Sequence, residues 1–192
     1  MGTDSRHLVL TGFMGTGKSS VGQAVAQELG RPFVDMDTFI VQRAGMSIPQ
    51  IFEQHGEAAF RQMEGEVCRE LCEQKRLVIA TGGGALVNSA NRTLMLEHGC
   101  VICLDCQPDR ILERIGHGAS RPMLWGDDPL ERLRSLLQER RPAYAEIPLH
   151  VDTTYRTLDQ TVAKVVKLYQ VRPCHWPVKT PTGSYHILQV PG

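Results

Sequence analysis

Residues 10–23 read LTGFMGTGKSSVGQ, with Gly12, Gly17, Lys18 and Ser19 in the spacing G-x-x-x-x-G-K-S. That spacing suits phosphate. Glycines let backbone N–H groups converge on phosphate oxygens, and the helix that follows adds its positive end. Lys18 can reach the outer phosphates of a nucleotide, and the Ser19 hydroxyl can ligate Mg2+. Such a loop binds a nucleotide without naming the acceptor.

Acceptor chemistry has to come from elsewhere in the chain. In Val34-Asp35-Met36-Asp37, two acids could divide the labour, Asp35 toward the Mg2+ shell and Asp37 toward a hydroxyl that must lose its proton. A turn or helix-cap role is the alternative for this pair. Arg61 and Glu64 lie three residues apart on a helical pattern. They read either as a surface pair or as a carboxylate aiming a guanidinium fork at an anionic substrate. Thr81 precedes Gly82, Gly83 and Gly84, a run that is a flexible turn or a place where backbone approaches a ligand. Arg121, in a glycine-rich stretch, and Arg140, at a helix end, are either solvated side chains or cations for a transferring phosphoryl group.

The elements that must position these residues follow from periodicity. Short apolar runs at 8–10, 33–34, 77–80, 101–104 and 149–151 end in Gly12, Asp35, the glycine triplet, Asp105 and Asp152. Helical patterns lie between them, after the phosphate loop to Gly30 and around 48–55, 57–74, 92–98, 130–140 and 158–169. Strands alternating with helices predict a parallel sheet covered on both faces, with ligands beyond the carboxyl ends of its strands. Ser47 with Gln50 and Thr157 with Gln160 have capping-box spacing. Residues 116–129 are polar, glycine-rich and long for a connection, which predicts a mobile lid. Residues 171–192, with four prolines and little periodicity, read as a tail without an assigned role after a single domain over 1–170.

Bulk properties narrow the function classes. A length of 192 residues, 42% hydrophobic and 22% charged, fits one globular domain. Lys plus Arg and Asp plus Glu each total 21, so no net field recruits nucleic acid or an anionic membrane. No apolar run approaches the roughly 20 residues that span a bilayer, and no signal-like start is present, which predicts a cytoplasmic protein. The six cysteines then read as reduced thiols. In CVICLDC, Cys100 and Cys103 would point to opposite faces of a strand and could not close together on one ion.

Taken together, GFMGTGKSSVG at 12–22, DMD at 35–37, SIPQIFEQHGEAAFRQMEGEV at 47–67, TGGGA at 81–85, SRPML at 120–124 and RRPAYAE at 140–146 resemble the shikimate kinase family. The resemblance covers roughly residues 7–170. It implies a three-layer α/β/α fold of the P-loop kinase type, with a five-stranded parallel sheet and a lid. It also implies transfer of the ATP γ-phosphoryl group to the 3-hydroxyl of shikimate, with Mg2+, by a monomer. Lys18, Asp37 and Arg121 would be catalytic. Gly15, Thr16, Gly17, Lys18, Ser19, Ser20, Arg114, Arg121 and Arg156 would contact the nucleotide. Asp37, Arg61, Gly82, Gly83, Gly84 and Arg140 would hold shikimate, and Ser19 and Asp35 the metal. Two other readings are a different small-metabolite kinase on the same scaffold, such as a gluconate kinase-like enzyme, and a nucleotide-binding protein without turnover.

Overall fold

In the computed structural model, which describes residues 5–116, 128–171, 174–180 and 183–189, the apolar runs become the strands of one sheet. Strands β1 (His7–Gly12), β2 (Phe33–Asp35), β3 (Val78–Ala80), β4 (Gly99–Asp105) and β5 (Leu149–Asp152) lie in the order β2-β3-β1-β4-β5. Every pairing is parallel. Alternation along the strands sorts the core onto two faces. Val9, Ile79, Val101 and Cys103 face one way; Leu8, Leu10, Val78, Cys100 and Ile102 face the other. Cys100 and Cys103 thus fall on opposite faces, as their spacing requires.

The second face is covered by α1 (Lys18–Leu29) and α7 (Leu158–Gln170), through Val21, Val25, Val162 and Val165. The first face carries α2 (Met36–Ala44), α3 (Ile48–Glu73), α4 (Ser89–His98), α5 (Pro108–Ile115) and α6 (Pro129–Ala145). Met36, Ile51, Val67, Met95, Ile111 and Leu133 bring these five helices into one cluster. This is the expected three-layer α/β/α fold. Among the described residues, no helix is long and apolar enough to cross a membrane.

Local chemistry sets the boundaries. Gly30 closes α1 in the left-handed conformation, φ 59°, its N–H reaching Ala26 O and Gln27 O. Gly56, at φ 77° and ψ 170°, breaks α3 where the pattern divides into 48–55 and 57–74. The break lets the Phe52 and Phe60 rings meet at 5.0 Å between centroids. Gln50 Oε1 accepts from Ser47 N–H at 2.8 Å, and Thr157 and Gln160 exchange both bonds of a capping box. Helices α2 and α5 go beyond the predicted set. Each is short, and α2 follows β2 with no intervening loop because Asp35 ends the strand and caps the helix.

Residues 171–192 differ from the reading of a tail without periodicity. Strands β6 (Cys174–Thr180) and β7 (Gly183–Gln189) pair antiparallel, Thr180 opposite Gly183. Proline suggested irregular chain, but in a two-stranded ribbon each strand is an edge, and Pro177 sits there opposite His186. Of the predicted lid over 116–129, residues 117–127 lie outside the described residues. At its two ends, Gly116 closes α5 at φ 68°, and the Asp128 carboxylate caps α6 by accepting from Glu131 N at 3.0 Å.

Gly12 ends β1 at φ 131°, and a Cβ there would overlap the carbonyl oxygen of Leu104 on β4. Gly30 has a positive φ but nothing within 4 Å of its Cβ position. Gly30→Ala should therefore cost only backbone strain, about 1 kcal/mol. Gly12→Ala should cost roughly 2 kcal/mol or more, because fixed backbone must also move. Urea unfolding of both variants is the measurement; equal losses would show that the Leu104 contact contributes nothing.

Candidate active site at the strand ends

The phosphate loop joins β1 to α1. Gly15 and Gly17 take φ values of 75° and 96°, which lets the chain wrap tightly. The Phe13 carbonyl is its hub, accepting from Thr16 Oγ1 at 2.8 Å and from Lys18 Nζ at 2.9 Å. Ser19 and Ser20 lie exposed in the first turn of α1. Ser19 Oγ donates to Asp35 Oδ2 at 2.5 Å, while Asp35 Oδ1 accepts from Asp37 N and Thr38 N at 3.1 and 3.2 Å. The expected acid pair therefore splits: Asp35 caps α2 and touches the loop serine, and Asp37 turns toward the glycine triplet. A hydroxyl and a carboxylate oxygen in contact form a hard-oxygen pair of the kind Mg2+ takes, so the residues present fit that ion.

On the other side of the loop, charged groups close around the turn after β3. A Cβ on Gly82 would stand 2.6 Å from Asp37 Oδ1 and 3.0 Å from Glu64 Oε1. One on Gly84 would overlap the Arg61 guanidinium. The triplet is thus a place of close approach rather than a flexible turn. Arg61 Nη1 donates to Glu64 Oε2 at 2.7 Å, and Nη2 donates to Glu57 Oε1 at 2.8 Å. The Glu64 side chain is only 2% exposed, so this is no surface pair. Glu64 Oε1 is buried without a hydrogen-bond partner. Burial pushes the Glu64 carboxyl up; Arg61 pulls it back, and the charge of Asp37 adds to the push.

Arg140, buried in α6, donates from Nη1 to Gly83 O at 3.1 Å, and its guanidinium lies 5.3 Å from the Phe13 ring centroid. Tyr144, one turn later, donates its hydroxyl to the same carbonyl at 2.5 Å. Burial pushes that hydroxyl up to about 12, so it remains a donor at neutral pH. Gly83 also abuts the phosphate loop, its Cβ position 3.4 Å from Met14 N. Residues 12–14 therefore form the wall between the two groups.

Arg114 is tied to the phosphate loop through Thr153. It donates from Nη1 to Thr153 Oγ1 at 3.0 Å and from Nη2 to Thr153 O at 2.5 Å. Thr153 Oγ1 lies 3.2 Å from Thr16 O, which ties the end of β5 to the loop. Arg156 instead turns back on its own strand, donating from Nε to Asp152 O at 3.0 Å. Arg121 lies outside the described residues.

Several contributors escaped the sequence reading. Tyr144 lies four residues after Arg140, and Glu57 four before Arg61, so helical spacing carried a signal for both. Arg92 and Glu146 carried none. Arg92 is buried; it donates from Nε and Nη2 to Glu146 Oε2 at 3.0 and 2.6 Å, and from Nη1 to Leu86 O at 2.9 Å. Beside Arg114, the guanidinium of Arg110 lies 5.9 Å from the ring of Tyr155, which is 77% exposed.

Comparison with known proteins bears on this arrangement. The family profile described as shikimate kinase matches residues 14–170. A shikimate kinase from Geobacter sulfurreducens is 43% identical over 163 residues, covering 85% of this chain and 90% of that one. The structure of a shikimate kinase from Acinetobacter baumannii in complex with shikimate superposes with a TM-score of 0.81 at 37% identity, covering 85% of this chain and 92% of that chain. A gluconokinase from Sinorhizobium meliloti reaches 0.58 at 19% identity, over 86% of this chain and 94% of its own, which shows a common fold alone. The profile ends with the last residue of α7, so it takes in every described residue of the two charged groups except Gly12 and Phe13 at its threshold. On that match and on relatives at 40–43% identity across most of both chains, the protein belongs to the shikimate kinase family.

Proposed function

We propose that the protein phosphorylates the 3-hydroxyl of shikimate with ATP, releasing ADP. The observation that carries the reading is the closing of Asp37, Arg61, Glu64 and Arg140 around the glycine triplet, opposite the nucleotide-side residues. Two guanidinium groups beside Asp37 suit an acceptor that carries both a carboxylate and hydroxyls. An uncharged sugar would not need them, and gluconate, the anionic rival, has support here only at the level of fold.

The residues divide the work by position. Backbone N–H groups of Gly15 to Ser20 hold the phosphates, and Lys18 follows the outermost of them. Arg114, fixed by Thr153, supports the nucleotide, with Arg156 farther along the same loop. Ser19 and Asp35 would hold Mg2+, whose charge offsets that of the phosphates. Asp37 accepts the proton of the attacking hydroxyl while Glu64 keeps Arg61 aimed at the carboxylate. Gly82, Gly83 and Gly84 let the substrate ring lie against backbone. Arg121, on a lid over 116–129, would stabilise the transferring phosphoryl group and help exclude water.

ADP release from MgATP in the presence of shikimate, gluconate or a nucleoside monophosphate, with Lys18→Ala as the blank, tests the assignment. Turnover is expected with shikimate alone; turnover with another acceptor, or none with any, overturns it. Arg61→Ala should raise KM for shikimate roughly 10- to 100-fold, the worth of a charged hydrogen bond, and Arg61→Lys should restore only part of that. An unchanged KM would remove Arg61 from the site. Arg121→Ala should lower kcat by about a thousandfold or more, as loss of a phosphoryl-facing arginine does. A kcat within a few-fold of the unmodified enzyme would exclude that role.

A further inference from the structure

On the sheet face that carries α6, β4 and β5 bring together three side chains that the kinase reading does not use. Cys103 pairs with His150 across the parallel strands, and Asp105 stands two residues along from Cys103. The register and the two-residue period put all three on one face. Their ligand atoms, a sulfur, a ring nitrogen and a carboxylate oxygen, lie within 4.8 Å of one another. His150 Nδ1 is 2.7 Å from Asp105 Oδ2, and Cys103 Sγ is 3.7 Å from Asp105 Oδ1.

The imidazole geometry is informative. His150 Nε2 lies 2.9 Å from the Ile147 carbonyl oxygen, an acceptor, so that nitrogen carries a proton. Nδ1 then faces a carboxylate oxygen. His150 Nδ1 and Asp105 Oδ2 stand at hydrogen-bond distance, so the two groups already converge on one point at the strand ends. A ligating histidine characteristically gives its other N–H to a backbone carbonyl, which fixes the tautomer.

We infer that Cys103, Asp105 and His150 form a binding site for a zinc-class divalent cation, separate from the Ser19 and Asp35 pair. Sulfur, imidazole and carboxylate together suit Zn2+, whereas Mg2+ prefers oxygen alone. Tetrahedral coordination at zinc bond lengths sets ligand atoms about 3.3 to 3.6 Å apart. The Sγ to Oδ1 separation of 3.7 Å is near that range, whereas the Nδ1 to Oδ2 separation of 2.7 Å would have to widen on metal binding. Cys103 is fully buried behind Asp105, and burial and the Asp105 charge push its thiol up, so the metal–sulfur bond must replace that proton, which leaves to solvent.

The remaining coordination position opens outward. Asp105 and His150 line a cavity of about 600 Å3, walled by Arg134, Gln138, Arg141 and Tyr144 of α6. Three protein ligands and one open position describe a site that exchanges a water or a small anion, unlike a closed four-ligand structural site. The ion would also brace the nucleotide side. Asp105 O accepts from Thr153 N at 2.8 Å, and Thr153 Oγ1 reaches Thr16 O in the phosphate loop.

Cobalt(II) titration of the full chain, after dialysis against chelator, tests the site without reference to turnover. One equivalent should give a thiolate-to-cobalt charge-transfer band and the visible bands of a tetrahedral ion, displaced by Zn2+ but not by excess Mg2+. Cys103→Ala should abolish the charge-transfer band. Cys103 lies in the core, where truncation also costs stability, so His150→Gln at the rim is the second variant and should weaken binding at least about tenfold. Absence of the bands in the unmodified chain, or their persistence at full strength in both variants, would overturn the assignment. Either result leaves the proposed kinase activity untouched.

Discussion

The carbonyl of Gly83 receives two hydrogen bonds from one helix, from Arg140 and Tyr144. That shared acceptor joins α6 to the turn after β3. Both side chains are long and polar, and in solution they would have many rotamers to lose. Packing α6 against the first sheet face, through Leu133 and Tyr144 itself, meets that cost with apolar burial. The turn in turn must come close to Arg61, Asp37 and Glu64, and only residues without side chains can do so. A glycine turn and a buried arginine thus specify each other.

The same join is reinforced from behind. Arg92 reaches the carbonyls that follow the turn with one nitrogen and Glu146 at the end of α6 with two others. Arg92 is buried but the Glu146 carboxylate is 63% exposed, so solvent screens the pair and its attraction is worth little. It restricts geometry more effectively than it adds free energy, and the geometry restricted here is the distance between α6 and the turn. Glu64 has a comparable place beside Arg61. Its burial is costly, and the cost is accepted where a fork must point in one direction.

The sheet was legible because parallel strands buried on both faces read as apolar runs, and their polar carboxyl ends are the residues that the fold gathers at one edge of it. The phosphate loop, the glycine triplet and the break at Gly56 were legible because only glycine serves there. Spacing offered Asp35 and Asp37 either a division of labour or a helix cap; that Asp35 caps α2 while Asp37 turns toward the triplet depends on where the helix begins. Arg156 shows the opposite limit, a residue in the right loop whose guanidinium turns to its own strand. Arg92 with Glu146, and Cys103 with His150, lie far apart in the chain. Only sheet register and helix packing bring such partners together, and no local periodicity encodes them.

Asp35 has one further consequence. One of its oxygens takes the Ser19 hydroxyl and the other holds the first N–H groups of α2, the helix on which Asp37 sits. A cation or phosphate that draws the first oxygen away from Ser19 acts, through the same rigid carboxylate, on the start of α2. The two halves of the cleft are then thermodynamically linked, and occupancy of either changes the affinity of the other by an equal factor. Cooperativity between the two substrates would follow from one side chain with two faces, without any motion of the sheet.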